Sequence, residues 1–131
     1  MNTFKIEENG SEVAIVALGE FFYLGKEVKE LLKENEIDAT LINPRFITGI
    51  DEEVLEKLKE NHGLVITLES AVLDGGFGEK VTRFYGTSNM KVINFGAKKE
   101  FTDRVPAEEI LKRNHLTKEQ IVEKILKVMG K

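Results

Sequence analysis

The stretch at residues 63–78, GLVITLESAVLDGGFG, constrains the fold more than any other part of the chain. It opens with an apolar run at 64–68 that ends at an acidic residue, Glu69. A short continuous run of this kind is typical of a strand buried on both faces, as in a parallel sheet covered by helices. A glycine-rich turn follows and leads into apolar residues that recur at helical spacing over 77–84. The stretch therefore predicts a strand–turn–helix unit of an open α/β sheet.

Other apolar runs predict the remaining strands. They lie at 4–6, 12–18, 39–42 and 90–95. Asn9-Gly10 is a tight-turn dipeptide, so the first two strands are predicted to form a hairpin in which a short edge strand folds back on a central one. Pro44 has no amide proton and is expected to help end the third strand, and Gly96 is expected to end the last strand.

Helices are predicted in the segments that follow the strands. One is expected to begin after Asp51 and to end around His62-Gly63. Pro106 suits the first position of a later helix, and Thr117 with Gln120 fits the capping-box spacing of the last one. The order β-β-α-β-α-β-α-β-α-α predicts an α/β fold, a three-layer α/β/α sandwich. Its mixed five-stranded sheet is expected to be mostly parallel, with one antiparallel edge strand.

Length and composition restrict the class of protein. With 131 residues the chain is expected to form one domain, residues 1–131. It contains no cysteine, which excludes disulfides and cysteine-bound metals. The formal net charge of -4 argues against nucleic acid as a partner. No apolar run approaches the roughly 20 residues that cross a bilayer, and residues 1–10 lack a signal-peptide pattern. We therefore expect a cytoplasmic protein without a membrane partner.

Glu69 and the glycine cluster after it stand where open α/β sheets usually bind ligands, at the carboxyl end of a strand. The glycines are Gly75, Gly76 and Gly78. Their turn could hold an anion on backbone amides, but packing is the favoured interpretation because the pattern lacks the P-loop lysine and is not a complete G-x-G-x-x-G. Glu69 could act as a base, whereas accepting hydrogen bonds from nearby loop amides is the role that we favour.

Two other loops at predicted strand ends carry candidate contact residues. Gly19 ends the central strand, and three consecutive aromatic residues come soon after it: Phe21, Phe22 and Tyr23. The three cannot all face one core, so at least one is predicted to be exposed or to lie at a contact surface. Arg45, close after Asn43 in the second loop, could bind a phosphate or carboxylate, although a structural ion pair is favoured.

The remaining polar residues form no catalytic pattern. His62 and His115 are far apart among surface-type residues, so no metal site is predicted. Ser70 and Ser88 lack the context of a nucleophile elbow. We predict no catalytic, cofactor-binding or metal-binding residue in this chain.

Three motifs together resemble the C-terminal domain of transketolase-type thiamine diphosphate enzymes. They are GSEVAIVALG, DATLINPRFITGIDEEVLEKL and LVITLESAVLDGGFGEKV. Within that family the 1-deoxy-D-xylulose-5-phosphate synthases are the most similar, on the turn Asn43-Pro44-Arg45-Phe46, the segment around Phe101 and the closing EEILKRNHLTKEQIVEKI. The resemblance covers residues 3–128. The chain departs from the usual pattern at Ser70, where a second acidic residue is common, and at the three aromatics, which replace a smaller stretch.

The resemblance implies an activity that belongs to a larger enzyme. Such enzymes are homodimers or heterotetramers that use thiamine diphosphate and a divalent metal such as magnesium. The synthases condense pyruvate with glyceraldehyde 3-phosphate and release carbon dioxide, at the start of a route to isoprenoids and in thiamine biosynthesis. Their cofactor and substrate sites lie in two preceding domains, which we expect this chain to lack. No cofactor is therefore expected in this chain, which should be inactive alone.

The role expected of the chain is then mechanical, namely to contact the preceding cofactor-binding domains and to help hold an active homodimer together. The expected contact surface comprises residues 19–23, 43–45 and 69–78 at the strand ends. Two alternatives remain open. The chain could be part of a transketolase or of the β chain of a 2-oxo-acid dehydrogenase, or it could be an independent regulatory module whose glycine turn binds an anion.

Overall fold

The structure, a computed structural model, describes residues 4–8, 10–44, 52–70, 77–97 and 117–131. The strands are β1 (Phe4–Glu8), β2 (Glu12–Ala17), β3 (Ala39–Pro44), β4 (His62–Ser70) and β5 (Lys91–Ala97). The helices are α1 (Phe22–Glu34), α2 (Glu52–Leu58), α3 (Phe77–Tyr85) and α4 (Lys118–Met129), and a single 3-10 turn, Gly19–Phe21, precedes α1.

The described strands form one sheet in the order β1-β3-β2-β4-β5. β2 pairs in parallel with both β3 and β4, and β5 pairs in parallel with β4. β1 pairs antiparallel with β3 at one edge. The α/β fold class predicted from the alternation of strands and helices is confirmed.

The predicted hairpin between the first two strands is wrong, because β1 pairs with β3 and not with β2. The chain instead passes over the start of β3. Gly10 lies so close to that strand that a Cβ placed on it would be 2.5 Å from the carbonyl oxygen of Ala39. The Gly10 amide donates a hydrogen bond of 2.9 Å to Thr40 Oγ1. Asn9 lies outside the described residues.

Each face of the sheet is covered by helices, and β2 contributes to both faces because successive side chains of a strand alternate. Val13, Ile15 and Ala17 belong to a core that contains buried residues of α1 and α4. Ala14 and Val16 belong to a second core with buried residues of α2 and α3. The three-layer arrangement follows from these two cores.

The last helix begins as its sequence predicts. Thr117 Oγ1 accepts a hydrogen bond of 3.2 Å from the Gln120 amide, and Gln120 Oε1 accepts one of 3.3 Å from the Thr117 amide. This reciprocal pair is a capping box, which satisfies amides that have no partner within the helix. Gly130, at φ 76°, ends α4 in the left-handed region that glycine adopts without a Cβ clash. The predicted capping box is confirmed.

Three predicted boundaries differ from the structure. α2 ends at Leu58, and His62 and Gly63, predicted to end that helix, are the first residues of β4. β5 continues through Gly96 to Ala97, in register with Ser70 of β4. β3 extends to Pro44, beyond the predicted 39–42. These differences arise because pairing with a neighbouring strand extends a strand past its apolar run. The helix predicted at Pro106 and the helix start predicted at Asp51 lie outside the described residues.

Candidate functional site

Parallel strands bring their carboxyl ends to one edge of the sheet, which gathers the predicted strand-end loops. The register pairs Val16 of β2 with Ile42 of β3, and Ala17 of β2 with Leu68 of β4, so the three strands end side by side. We call the candidate residues described at this edge the rim: Gly19, Phe21, Phe22, Tyr23, Asn43, Glu69 and Gly78. Arg45, Gly75 and Gly76, which were also predicted here, lie outside the described residues.

The aromatic part of the rim is fixed to the neighbouring strand by the backbone. The Leu18 amide donates a hydrogen bond of 3.0 Å to the carbonyl of Leu68 in β4. Gly19 then opens the 3-10 turn with φ 52°, a conformation that glycine adopts at low cost. Phe21 and Phe22 are half-buried against the core on the α1 side. The third aromatic residue of this stretch lies in the first turn of α1 and faces outward.

Tyr23 is the large hydrophobic residue that this arrangement leaves exposed. Its exposed fraction is 74%, and it is the one exposed large hydrophobic residue among the side chains whose burial the structure describes. Its ring meets that of Phe22 edge to face, with 6.3 Å between the ring centroids. At least one of the three aromatics was expected at the surface, and it is Tyr23. A tyrosine held this way offers a preorganised aromatic contact.

Glu69 is buried and binds the start of α3. Its Oε2 accepts a hydrogen bond of 2.8 Å from the Phe77 amide, and its Oε1 accepts one of 2.8 Å from the Gly78 amide. The carboxylate thus satisfies amides at the positive end of the helix dipole. Of the two roles weighed for Glu69, the structure shows amide hydrogen bonding. An external anion at these two amides would have to displace Glu69.

A polar network that the sequence did not reveal holds α3 to the sheet beside Glu69. Thr67 Oγ1 donates a hydrogen bond of 2.7 Å to Asn94 Oδ1, and Asn94 Nδ2 donates one of 2.8 Å to Thr82 Oγ1. Thr82 Oγ1 in turn donates to the Gly78 carbonyl at 2.9 Å. The available signals were the polar residues inside two apolar strands, Thr67 in LVITL and Asn94 in VINF. A single sequence does not show that these two side chains meet.

His62 was expected among surface residues, but it is buried, with an exposed fraction of 9%. It is the first residue of β4 and therefore lies at the end of that strand farthest from the rim. Its Nδ1 lies 3.2 Å from the Leu58 carbonyl, which can only accept, so Nδ1 donates. Thr40 Oγ1 then donates to Nε2 over 2.7 Å. With the bond from the Gly10 amide to Thr40, this relay joins β3, β4, α2 and the segment before β2. Burial lowers the pKa of His62 below its ordinary 6.5, and the Leu58 hydrogen bond opposes this in part.

We expect the stability of the protein to fall in mild acid through His62. The folded-state pKa is lowered, so below pH 6.5 the unfolded chain binds a proton that the folded chain still excludes. This contribution to stability is complete above pH 6.5 and is lost as pH falls from there toward the folded-state pKa. Thermal unfolding of the wild type and of His62→Gln between about pH 5 and 7.5 measures it, and Tm of the wild type should depend more steeply on pH.

Tyr85→Phe is the control, because it removes a buried hydrogen bond made by a group that stays protonated over this pH range. Its Tm should fall, but the dependence of its Tm on pH should follow that of the wild type. Equal slopes for the wild type and His62→Gln would contradict the assignment.

Tyr85 of α3 connects that helix to α2, which packs on the same face of the sheet. Its hydroxyl donates a hydrogen bond of 2.6 Å to the Leu55 carbonyl in the last turn of α2. Burial, with a smaller effect from the Glu56 charge, raises the pKa of Tyr85 far above its ordinary value. The hydroxyl therefore remains a donor at neutral pH.

In the ranges that the structure covers, no helix is long and apolar enough to cross a membrane. Within the same ranges, no three side chains of histidine, cysteine, aspartate or glutamate are grouped as metal ligands would be.

Comparison with known proteins places this arrangement in a family. The transketolase C-terminal domain family matches residues 2–121. The chain belongs to this family. Curated relatives of this transketolase C-terminal domain include 1-deoxy-D-xylulose-5-phosphate synthases. That of Clostridium tetani is 36% identical over 128 residues, which are 96% of this chain and 21% of the relative. That of Symbiobacterium thermophilum is 34% identical over 122 residues, which are 92% of this chain and 19% of the relative.

The transketolase C-terminal domain described here thus spans about a fifth of the length of these curated relatives. Among solved structures, a chain described as a split gene transketolase, inactive beta4 tetramer, matches with a TM-score of 0.82 and 26% identity, over 95% of this chain and 41% of that chain. The transketolase of Campylobacter jejuni matches with a TM-score of 0.65 at 16% identity, over 95% of this chain and 18% of that chain, which supports the fold alone.

Proposed function

We propose that this chain is the C-terminal domain of a 1-deoxy-D-xylulose-5-phosphate synthase. The observation that carries the proposal is coverage, because the Clostridium tetani synthase aligns with 96% of this chain over only 21% of its own length. The whole enzyme would join pyruvate to glyceraldehyde 3-phosphate with loss of carbon dioxide, supplying isoprenoid and thiamine biosynthesis. We further propose that residues 1–131 act as one domain, in the cytoplasm, within a homodimer.

In this proposal the chemistry belongs to other domains, which hold thiamine diphosphate and magnesium, and this chain contributes a contact surface. Its described rim supplies no set of metal ligands. It does supply Tyr23, exposed at the point where β2 ends and α1 begins. Exposed aromatic residues are frequent anchors of protein interfaces. We propose the rim, together with Arg45, Gly75 and Gly76, as the surface that meets the cofactor-binding domains.

The second candidate is a transketolase, favoured by the split gene transketolase chain that matches with a TM-score of 0.82 at 26% identity. The 2-oxo-acid dehydrogenase β chain is a third form of the same proposal. The enzyme reconstituted with its cofactor-binding domains separates these candidates by its substrate. A synthase consumes pyruvate with glyceraldehyde 3-phosphate, whereas a transketolase transfers a two-carbon unit between sugar phosphates. An independent anion-binding module is less well supported, because Glu69 already occupies the amides of Phe77 and Gly78.

Tyr23→Ser tests the rim as the contact surface. The cofactor-binding part of the source organism's synthase, produced as a separate polypeptide, should bind this domain and consume pyruvate with glyceraldehyde 3-phosphate only in its presence. Tyr23→Ser should raise the Kd of this association at least about tenfold, as the loss of a central aromatic anchor does. It should leave Tm nearly unchanged, since the side chain is 74% exposed.

Tyr23→Phe, which keeps the ring, is the control and should bind like the wild type. A Tyr23→Ser variant that binds as tightly as the wild type would remove the rim from the proposal. Failure of the wild-type domain to bind or to support turnover would remove the synthase assignment itself.

A further inference from the structure

Glu69 is a buried carboxylate whose charge is balanced by backbone amides. Only 7% of the residue is exposed, and both oxygens accept hydrogen bonds from the first two residues of α3. Within the described ranges it forms no ion pair with a lysine or arginine. A buried charge is costly unless it is hydrogen-bonded, and the start of a helix stabilises an anion. Glu69 therefore occupies the position that an anionic ligand would take at this helix.

The position of Glu69 in the chain gives this contact a wider effect. Glu69 is next to Ser70, where β4 ends, and the two amides that it binds open α3 at Phe77. The Glu69 side chain thus connects the end of β4 directly to the start of α3, which residues 71–76 separate in the sequence. The carbonyl oxygen of the preceding residue, Leu68, accepts a hydrogen bond from the Leu18 amide, just before the 3-10 turn at Gly19–Phe21. The two parts of the rim are therefore attached to adjacent residues of β4.

The position of the Glu69 carboxylate is restricted by the residues packed around it, Gly78 and Asn94. A Cβ on Gly78 would lie 2.8 Å from Glu69 Oε1 and 2.6 Å from Asn94 Oδ1, so glycine is required for both side chains to approach the helix. Asn94 is fixed in turn by Thr67 and Thr82. The helix start is consequently set by polar contacts in addition to the apolar packing of Phe77, which belongs to the same core as the rest of α3.

We infer that Glu69 is the positioning residue of the rim, an internal anion that sets the end of β4 and the start of α3 in the geometry that the cofactor-binding domains meet. The inference rests on the proposed function, because it takes those domains as the partner. Glu69 acts on association and not on the reaction, since its hydrogen bonds in the described ranges go to backbone amides of its own chain.

Glu69→Gln is the first test. A glutamine oxygen can accept one amide, but its amide nitrogen then faces the other N–H, donor against donor. We expect the Kd between this variant and the cofactor-binding polypeptide to be at least fivefold higher than that of the wild type. When the variant domain is added at saturating concentration, turnover should return to the wild-type value. In NMR spectra of the isolated domain the amide signals of Phe77 and Gly78 should shift more than those of α4.

Tyr85→Phe is the matched control for a loss of stability alone. It removes a buried hydrogen bond between α3 and α2 and leaves the carboxylate contact intact. Its Tm should fall while its Kd for the partner stays within twofold of the wild type. A Kd increase equal to that of Glu69→Gln would show that destabilisation accounts for the effect, and would overturn the positioning role.

Chemical rescue provides a second readout. Glu69→Ala leaves two unpaired amides and room for a small carboxylate, so formate at tens of millimolar should raise its Tm and lower its Kd for the partner, with chloride as the control. Absence of rescue, or a Glu69→Gln Kd equal to the wild-type value, would overturn the inference. If the wild-type domain itself does not bind the polypeptide, the proposed function fails instead, and the rescue of Tm and the NMR shifts still report on Glu69.

Discussion

Replacing Leu41 by alanine should lower the free energy of unfolding by about 2–5 kcal/mol. Leu41 lies in β3, between β1 and β2, and is fully buried in the core under α1. Its Cδ1 would be 3.2 Å from a Cβ placed on Gly25, which shows how closely the helix backbone approaches it. Because α1 is held in place by its other core residues, its backbone cannot move into the space left by the leucine side chain, and a cavity remains.

Urea unfolding of the two proteins measures this loss, with Leu126→Ala as the matched control. Leu126 carries the same side chain but is only partly buried on α4, so its truncation removes less apolar area from the core. The midpoint should fall clearly further for Leu41→Ala than for Leu126→Ala. Equal losses would mean that β3 is not part of a tightly packed core.

Gly78→Ala should destabilise the domain by about 1–3 kcal/mol, although alanine is the better helix former. The added methyl group would lie 2.6 Å from Asn94 Oδ1 and 2.8 Å from Glu69 Oε1. Both side chains are tied into hydrogen bonds, so neither can move aside without losing one. The carboxylate would leave the Phe77 and Gly78 amides, and α3 would lose its contact with the end of β4.

Gly63→Ala is the control for the Gly78 substitution, because nothing lies within 4 Å of a Cβ placed there. It should change the urea midpoint little or raise it, since alanine restricts the unfolded chain more than glycine does. A Gly78→Ala variant as stable as Gly63→Ala would show that the start of α3 tolerates side chains, contrary to the contacts described.

The sequence was sufficient for the elements whose apolar pattern admits one interpretation. The runs in β2 and β4 are apolar at successive positions, which a strand covered on both faces requires, and both strands are central in the sheet. Thr117 and Gln120 specify the start of α4 by local hydrogen bonds, which depend on spacing alone. At the rim, three adjacent aromatics forced at least one to the surface, and it is Tyr23.

What the sequence did not supply are contacts between residues far apart in the chain. Asn9-Gly10 is a typical hairpin dipeptide, but β1 pairs with β3, and Gly10 packs against Ala39 at the start of that strand. His62 is a polar residue in a charged neighbourhood, and its burial depends on Thr40, which lies on another strand. The same holds for Asn94 and Thr67. Local pattern does not determine these pairs, since each needs the fold to exist first.

The placement of β1 beyond β3 has a consequence for synthesis of the protein. On the ribosome, Phe4–Glu8 emerges before its partner Ala39–Pro44, and the whole of β2 and α1 must follow before pairing can occur. Until then its backbone groups lack their partners in β3, and its docking must close a long loop. Of the strands of this sheet, β1 is therefore translated first and joins the sheet only after β3 has been made.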